Sequence, residues 1–381
     1  MFWVWCSLTA VLFLEGLFSL IRVIRFHHFF LREISSPAKQ NIDHWPKVAL
    51  LAPCKGMDPD LRENIRSWFA QDYPDFKIFF IVDSERDPVV PILQEFASSE
   101  ILVAGKAKDS GQKVHNLQHA VQQVSSDYEV FAFIDSDCSV KTDWLRNLVS
   151  RVLRNPMHAA TGYRWFTNSR NFGSILRAAW NSSILTLYKE NSKENFAWGG
   201  ATAILRETFG ASRVADFWKG SLSDDYSLTK AMQSSNRQVN FVPGALAFTH
   251  DSIRLADFLR WSFRQLLITR IYYPRLWSAA FVFHFVWMIW IVSGFFFPIY
   301  FWPSFLVLQL IQSLKAVLRC GCVAAVHSVS LRQRIYFCLI GPLVGLCNFA
   351  VLLSTMFTRK ITWRGIEYIL SEHDRLRIRH R

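Results

Sequence analysis

Five short segments of this chain hold residues able to do chemistry. FIDSDCSV (133–140) sets Asp135 and Asp137 two residues apart after a hydrophobic run. Two hard oxygen donors at a strand end suit Mg2+ or Mn2+, which bind through one or two carboxylates plus substrate phosphates. The spacing itself is common: Asp58-Pro59-Asp60 shares it, yet opens a helix and reads as an N-cap. SGQKVHNL (110–117) runs a glycine loop into a helix start beside Lys113. A diphosphate suits such a helix N-terminus, although a glycine before an amphipathic helix is more often a plain turn. VDSERDP (82–88) offers Asp83 as an acceptor for a base or ribose, with an acidic turn as the alternative. SLSDDYSL (221–228) begins a helix with Asp224 and Asp225. Capping accounts for at least one of them, and the other can take a proton from an attacking hydroxyl beside a metal. In FAWGGATAIL (196–205), the Gly199-Gly200 pair lets the backbone approach a ligand closely.

These clusters need a scaffold, and the hydrophobic pattern supplies one. KVALLAP (47–53), FKIFFIV (76–82), EILVAG (100–105) and EVFAFID (129–135) are β-rich runs. Helix-like stretches lie between and after them, at 58–72, 88–98, 112–125 and 142–154. This alternation predicts an α/β fold with a mostly parallel sheet and helices on both faces. Ligands of such sheets collect at the carboxyl ends of the strands, where the acidic clusters fall.

The rest of the chain is of another kind. Of 381 residues, 51% are hydrophobic and 15% aromatic, and 43 Lys+Arg face 30 Asp+Glu for a net charge of +13. That excludes disordered and fibrous classes. Seven scattered cysteines without a C-x-x-C give neither a disulfide framework nor a zinc site. Residues 2–21 are long and apolar enough to cross a bilayer, with Glu15 their only charge. Arg22, Arg25, Arg32 and Lys39 follow, which predicts a retained anchor (1–25) with the next domain (40–252) in the cytoplasm. Residues 253–275 read as a basic amphipathic segment on the membrane surface, with Arg260, Arg264, Arg270 and Arg275 among Trp261, Phe263, Tyr272 and Trp277. Apolar runs at 276–302, 304–326 and 335–357 form a C-terminal membrane region (276–358), before a basic tail (359–381). Both the basic loop 327–334 and the tail favour the cytosol, which three full crossings cannot satisfy; one run is then re-entrant or interfacial. No zinc, helix-turn-helix or RNA-binding signature accompanies the charge, so nucleic acid is not the expected partner.

In order, the segments resemble the family-two glycosyltransferases with a GT-A nucleotide-sugar fold, and above all the ceramide glucosyltransferase branch. The resemblance runs through Pro53 with Lys55-Gly56, Asp83, Lys113-Val114-His115-Asn116-Leu117, Asp135 in Asp-Ser-Asp, Asp225 in Asp-Asp-Tyr, and Arg260-Trp261. It implies an inverting transfer of one hexose, glucose from UDP-glucose, to the hydroxyl of a ceramide-like lipid. Pro53, Lys55, Asp83, Glu85, Lys113, Asp135, Gly199 and Gly200 would then bind the nucleotide sugar. Asp135 and Asp137 would hold a divalent cation, Mn2+ or Mg2+. Asp225, with Asp224, Arg260 and Trp261, would form the catalytic set. Glu85 and Asp87 compete with Asp83 as the first acid. The family's Arg-Trp motif carries Gln or Arg where Asp257 stands here, so that role passes to Arg264 or Gln265, or is absent. The alternatives are transfer to another lipid (a diacylglycerol, hopanoid, carotenoid or polyprenyl phosphate) or a non-enzymatic membrane scaffold.

Overall fold

A computed structural model describes residues 1–35, 42, 44–167, 170–370 and 376–380; Lys39 lies outside them. The chain divides into two compact units. The first, a sheet unit, comprises 36–165, 187–251 and 359–381. Its strands are β1 (Val48–Pro53), β2 (Phe76–Val82), β3 (Glu100–Val103), β4 (Val130–Ile134), β5 (Ser139–Val140), β6 (Ala159–Thr161), β7 (Arg164–Phe166), β8 (Ala201–Leu205), β9 (Val239–Phe241) and β10 (Ala247–Thr249). The main sheet has the order β3-β2-β1-β4-β8-β6-β9, and β5-β10-β7 form a smaller one. β1 pairs in parallel with both β2 and β4, while β8 runs antiparallel between β4 and β6.

Period-two alternation explains the two-sided burial. From β1, Val48, Leu50 and Ala52 enter a core with Trp68, Trp144 and Leu148. Ala49 and Leu51 enter the opposite core with Val114, Leu117 and Trp218. Helices Leu61–Phe69 and Trp144–Arg154 thus cover one face, and Gln112–Gln123 and Asp224–Ser234 the other.

Two local expectations are corrected. The helix expected at 88–98 is only Val90–Leu93, because Pro91 removes a donor and the chain then tightens into i→i+3 bonds from Glu95 and Phe96. The Asp58/Asp60 pair makes no N-cap: Asp60 stands before helix Leu61–Phe69 at φ 57° with no side-chain capping bond. Asp58 instead accepts from Ser136 Oγ at 2.5 Å and from Arg364.

The tail from Arg359 belongs to the sheet unit and is more than a charged tail. It forms an antiparallel meander, β11 (Lys360–Trp363), β12 (Ile366–Leu370) and β13 (Leu376–His380).

The second unit comprises 1–35, 166–186 and 252–358. Three of its helices, Phe2–Ser35, Pro274–Gly294 and Pro298–Ala324, are long and apolar enough to cross a bilayer. Their outer faces expose Leu14, Phe18, Val282, Phe285, Leu306 and Leu310, surfaces that lipid suits and water does not. The first helix extends past the expected anchor because Phe26, Phe29 and Phe30 continue its buried stripe. The apolar run at 335–357 is bent by 60° between Leu331–Leu339 and Gly341–Thr355. Pro342, which lacks an N–H, starts the second arm of that bend.

Trp68 ties the sheet unit's core to the acidic loop. Its side chain is fully buried, and Nε1–H donates to the Cys138 carbonyl at 2.8 Å. Trp68→Phe keeps most of the ring volume but orphans that carbonyl, so thermal unfolding of the full chain in detergent should show a loss of about 1–3 kcal/mol.

Candidate active site

The carboxyl ends of β1, β2 and β4 carry the loops in which the acidic residues lie, and each loop is fixed by its own short-range bonds. After β1, Gly56 adopts φ 65° and its N–H donates to Asp87 Oδ1 at 2.9 Å. Asp87 also accepts from the Val89 N–H, so this acid locks the loop rather than facing a ligand. Glu85 is exposed, and Asp83 is buried in an ion pair with Lys55. Of the three candidate acids, Asp83 is therefore the one joined to a second expected site residue. Pro53 ends β1 in register with Ile81.

Helix Gln112–Gln123 is held at both sides of its first turn. Gln112 donates to the Gly105 carbonyl and to Asn116, and Asn116 donates to the Ile81 carbonyl at the end of β2. The Gly111 N–H donates to the Ser221 carbonyl at 2.8 Å, and a Cβ on Gly111 would lie 2.8 Å from the Leu222 oxygen. That close approach joins the Lys113 helix to the segment leading into Asp224.

Lys113 Nζ consequently stands between two carboxylates, 2.7 Å from Asp135 and 2.9 Å from Asp224. Burial alone would lower its affinity for a proton, but Asp135 and Asp224 more than offset that and hold the ammonium well above its ordinary value. Burial likewise opposes ionisation of Asp135, yet Lys113 and Arg164 keep it below the usual carboxylate range. Asp224 differs: burial pushes it up to about 6 against the pull of Lys113, with Asp225 and Asp135 adding repulsion.

Ser223 is the N-cap of helix Asp224–Ser234, accepting from the Tyr226 N–H, so neither aspartate is needed for that job. Asp225 is half-buried. Its Oδ1 receives the Tyr226 N–H at 2.7 Å and the Ser223 hydroxyl, and Oδ2 receives no donor among the described residues. Two adjacent acids thus have different surroundings, one tied to an ammonium and one with a carboxylate oxygen left over.

Asp135 and Asp137 share a partner that the sequence does not announce. Arg164, at the start of β7, donates to Asp137 at 2.8 and 3.0 Å and to Asp135 at 3.0 Å. Its guanidinium also lies over the Trp198 ring, 5.0 Å from the centroid. Among the described residues no three His, Cys, Asp or Glu side chains converge as a metal cage. Two acids at a strand end still fit a divalent ion whose remaining ligands are phosphate oxygens and water.

Gly199 and Gly200 make room for this arrangement. Ile134 pairs with Ala201, which brings the glycines beside the acidic loop. A Cβ on Gly199 would fall 1.9 Å from Asp224 Oδ2, and one on Gly200 2.7 Å from Asp135 Oδ2. The structure thus gathers Lys113, Asp135, Asp137, Asp224, Gly199 and Gly200 in one site. Arg260 and Trp261 lie in the membrane unit, on helix Leu255–Tyr272. There Arg260 pairs with Asp257, and Trp261 packs edge-on against Trp180 and Phe166.

Known proteins share the family and the fold. The model of "Glycosyl transferase family 21" matches residues 10–376. A ceramide glucosyltransferase of Candida albicans is 29% identical over 133 residues, 30% of this chain and 24% of that protein. Ceramide glucosyltransferase 1 of Caenorhabditis elegans is 21% identical over 215 residues, 50% of this chain and 42% of that protein. The matches therefore span less than half of either relative's length. Among solved structures, a mannosyltransferase of Pyrobaculum calidifontis, in complex with GDP-Man and Mn2+, superposes with a TM-score of 0.50 at 14% identity. That match covers 92% of this chain and 98% of the other, and it places the chain in the GT-A-like fold.

The glycines give a sharp steric test. Gly199→Ala must drive the Asp224 carboxylate off Lys113, and overpacking of this kind costs about 1–3 kcal/mol. Gly210, in helix Arg206–Ala211, has nothing within 4 Å of the place a Cβ would take. Gly210→Ala should instead stabilise by roughly 0.5–1 kcal/mol. Thermal unfolding of the two variants side by side checks the opposite signs.

Proposed function

The chain belongs to glycosyl transferase family 21, and from that premise we propose that it transfers one hexose, glucose from UDP-glucose, to the hydroxyl of a ceramide-like membrane lipid. The observation that carries this reading is the Lys113 ammonium between Asp135 and Asp224, beside an Asp225 carboxylate that keeps an oxygen for a substrate proton. The same residue order supports a donor site. Asp83, paired with Lys55, would receive the uridine, and Lys113 would meet the diphosphate. Gly199 and Gly200 would let the donor lie against the backbone.

In the inverting step the lipid hydroxyl attacks the anomeric carbon in line with the departing diphosphate. Asp225 takes the hydroxyl proton as the new C–O bond forms and the bond to the diphosphate breaks. Asp135 and Asp137 would hold the divalent ion, Mn2+ or Mg2+, which neutralises charge developing on the leaving group. Arg164 then has to share or release those carboxylates, since its fork now lies across both. Asp224 keeps Lys113 charged and oriented. Arg260 and Trp261 complete the proposed catalytic set through the motif they form.

The membrane setting agrees with a lipid acceptor. Three apolar helices keep the chain at the bilayer, and Arg22, Arg25 and Arg32 at the end of the first favour a cytoplasmic sheet unit. Incubating the purified full chain with a panel of UDP-sugars, Mn2+ or Mg2+ and extracted lipids, followed by mass spectrometry, identifies donor and acceptor together. Absence of any glycolipid would leave the scaffold reading. For the base, Asp225→Asn should retain UDP binding and lower transfer by roughly 10²–10⁴-fold. Turnover at the wild-type rate in that variant would remove Asp225 from the mechanism.

A further inference from the structure

The C-terminal meander meets the sheet unit at several points, and its turn carries a cation. Arg364 and Gly365 form the two-residue connection between β11 and β12, with φ 50° and 75°. Positive φ at both positions is the geometry that a tight hairpin turn requires, and it costs a non-glycine residue such as Arg364. The turn is held by an ion pair between Arg364 and Asp58. Asp58 in turn accepts from Ser136 Oγ, the middle residue of the Asp135-Ser136-Asp137 triplet. On β12, the Tyr368 hydroxyl receives the Gln112 N–H at 3.3 Å, one residue before Lys113.

Three guanidinium or ammonium groups therefore surround the triplet, and they are not equally occupied. Lys113 is shared by Asp135 and Asp224, and Arg164 by Asp135 and Asp137. Their side chains are 15% and 12% exposed. Arg364 is 35% exposed and has one carboxylate partner among the described residues. Asp137 and Asp135 lie close enough to it to favour its charged form, after Asp58. A planar guanidinium with unused N–H donors matches phosphate oxygens in pairs, which an ammonium does not.

We propose that the C-terminal hairpin is part of the donor site and that Arg364 binds the diphosphate of the nucleotide sugar, using N–H groups that Asp58 leaves unused. This rests on the transferase reading above. It also gives the segment after the last membrane helix a role in substrate binding.

The test compares nucleotides that differ in one phosphate. Binding of UDP and UMP to the full chain in detergent is measured by calorimetry, with Mn2+ and again with a chelator, for wild type, Arg364→Gln and Arg364→Lys. Loss of charge-assisted bonds to phosphate should weaken UDP binding on the order of tenfold in Arg364→Gln. UMP binding should change less than about twofold, and Arg364→Lys should recover part of the UDP affinity. If Arg364→Gln weakens both nucleotides equally, or neither, Arg364 only docks the hairpin and the proposal fails. A wild type that binds neither nucleotide overturns the transferase reading itself, and this proposal with it.

Discussion

The Lys113 ammonium between Asp135 and Asp224 is the interaction on which the remaining site depends. Taking three charges out of water is unfavourable unless each finds a close partner of opposite sign. Here the distances of 2.7 and 2.9 Å supply those partners, and the chain around them is shaped to permit this. Two residues without Cβ atoms stand where any side chain would strike Asp224 or Asp135. The Gly111–Ser221 bond fixes the spacing between the helix bearing Lys113 and the one bearing Asp224. Antiparallel β8 then closes the site by bringing the glycines to the end of β4.

A second consequence concerns charge balance. Among the described residues, Asp58, Asp135, Asp137 and Asp224 pair with Lys113, Arg164 and Arg364. Four acids thus meet three cations, and Asp225 adds its own repulsion beside Asp224. Burial chiefly, with that repulsion, drives Asp224 up to about 6. On the proposed reading, a diphosphate would add further negative charge, which a divalent ion beside it would offset. Arg164 and Arg364 would then be redistributed in a donor complex, since they now neutralise acids that the ion and phosphate would engage.

Much of this was legible in the sequence, for local reasons. Asp83 and Asp135 follow unbroken apolar runs, and Lys113 follows a glycine loop, so strand ends and a helix start could be placed without tertiary information. The separation of Asp224 from Asp225 could not. It depends on which carboxylate the helix turns toward Lys113, and the Trp218 indole, which donates to the Asp224 carbonyl, helps to set that helix start. Arg164 and Arg364 carried no signal because each is a lone arginine in a short strand segment or turn. Only strand pairing brings them to the triplet. Asp58 differs from its local pattern for the same reason: the helix beside it suggests a cap, whereas its partners are 78 and 306 positions away.

The departure at Asp257 can be understood in the same terms. It occupies the third position of helix Leu255–Tyr272, where it accepts the Arg254 N–H at 3.2 Å and pairs with Arg260. A carboxylate in the first helical turn complements the exposed N–H groups and the helix dipole, which neither Gln nor Arg does as well. The pair with Arg260 is too exposed to fix that guanidinium, since surface ion pairs contribute under about 1 kcal/mol. Asp257 therefore secures the start of the helix that carries Arg260-Trp261 while giving up the donor a Gln or Arg would present there.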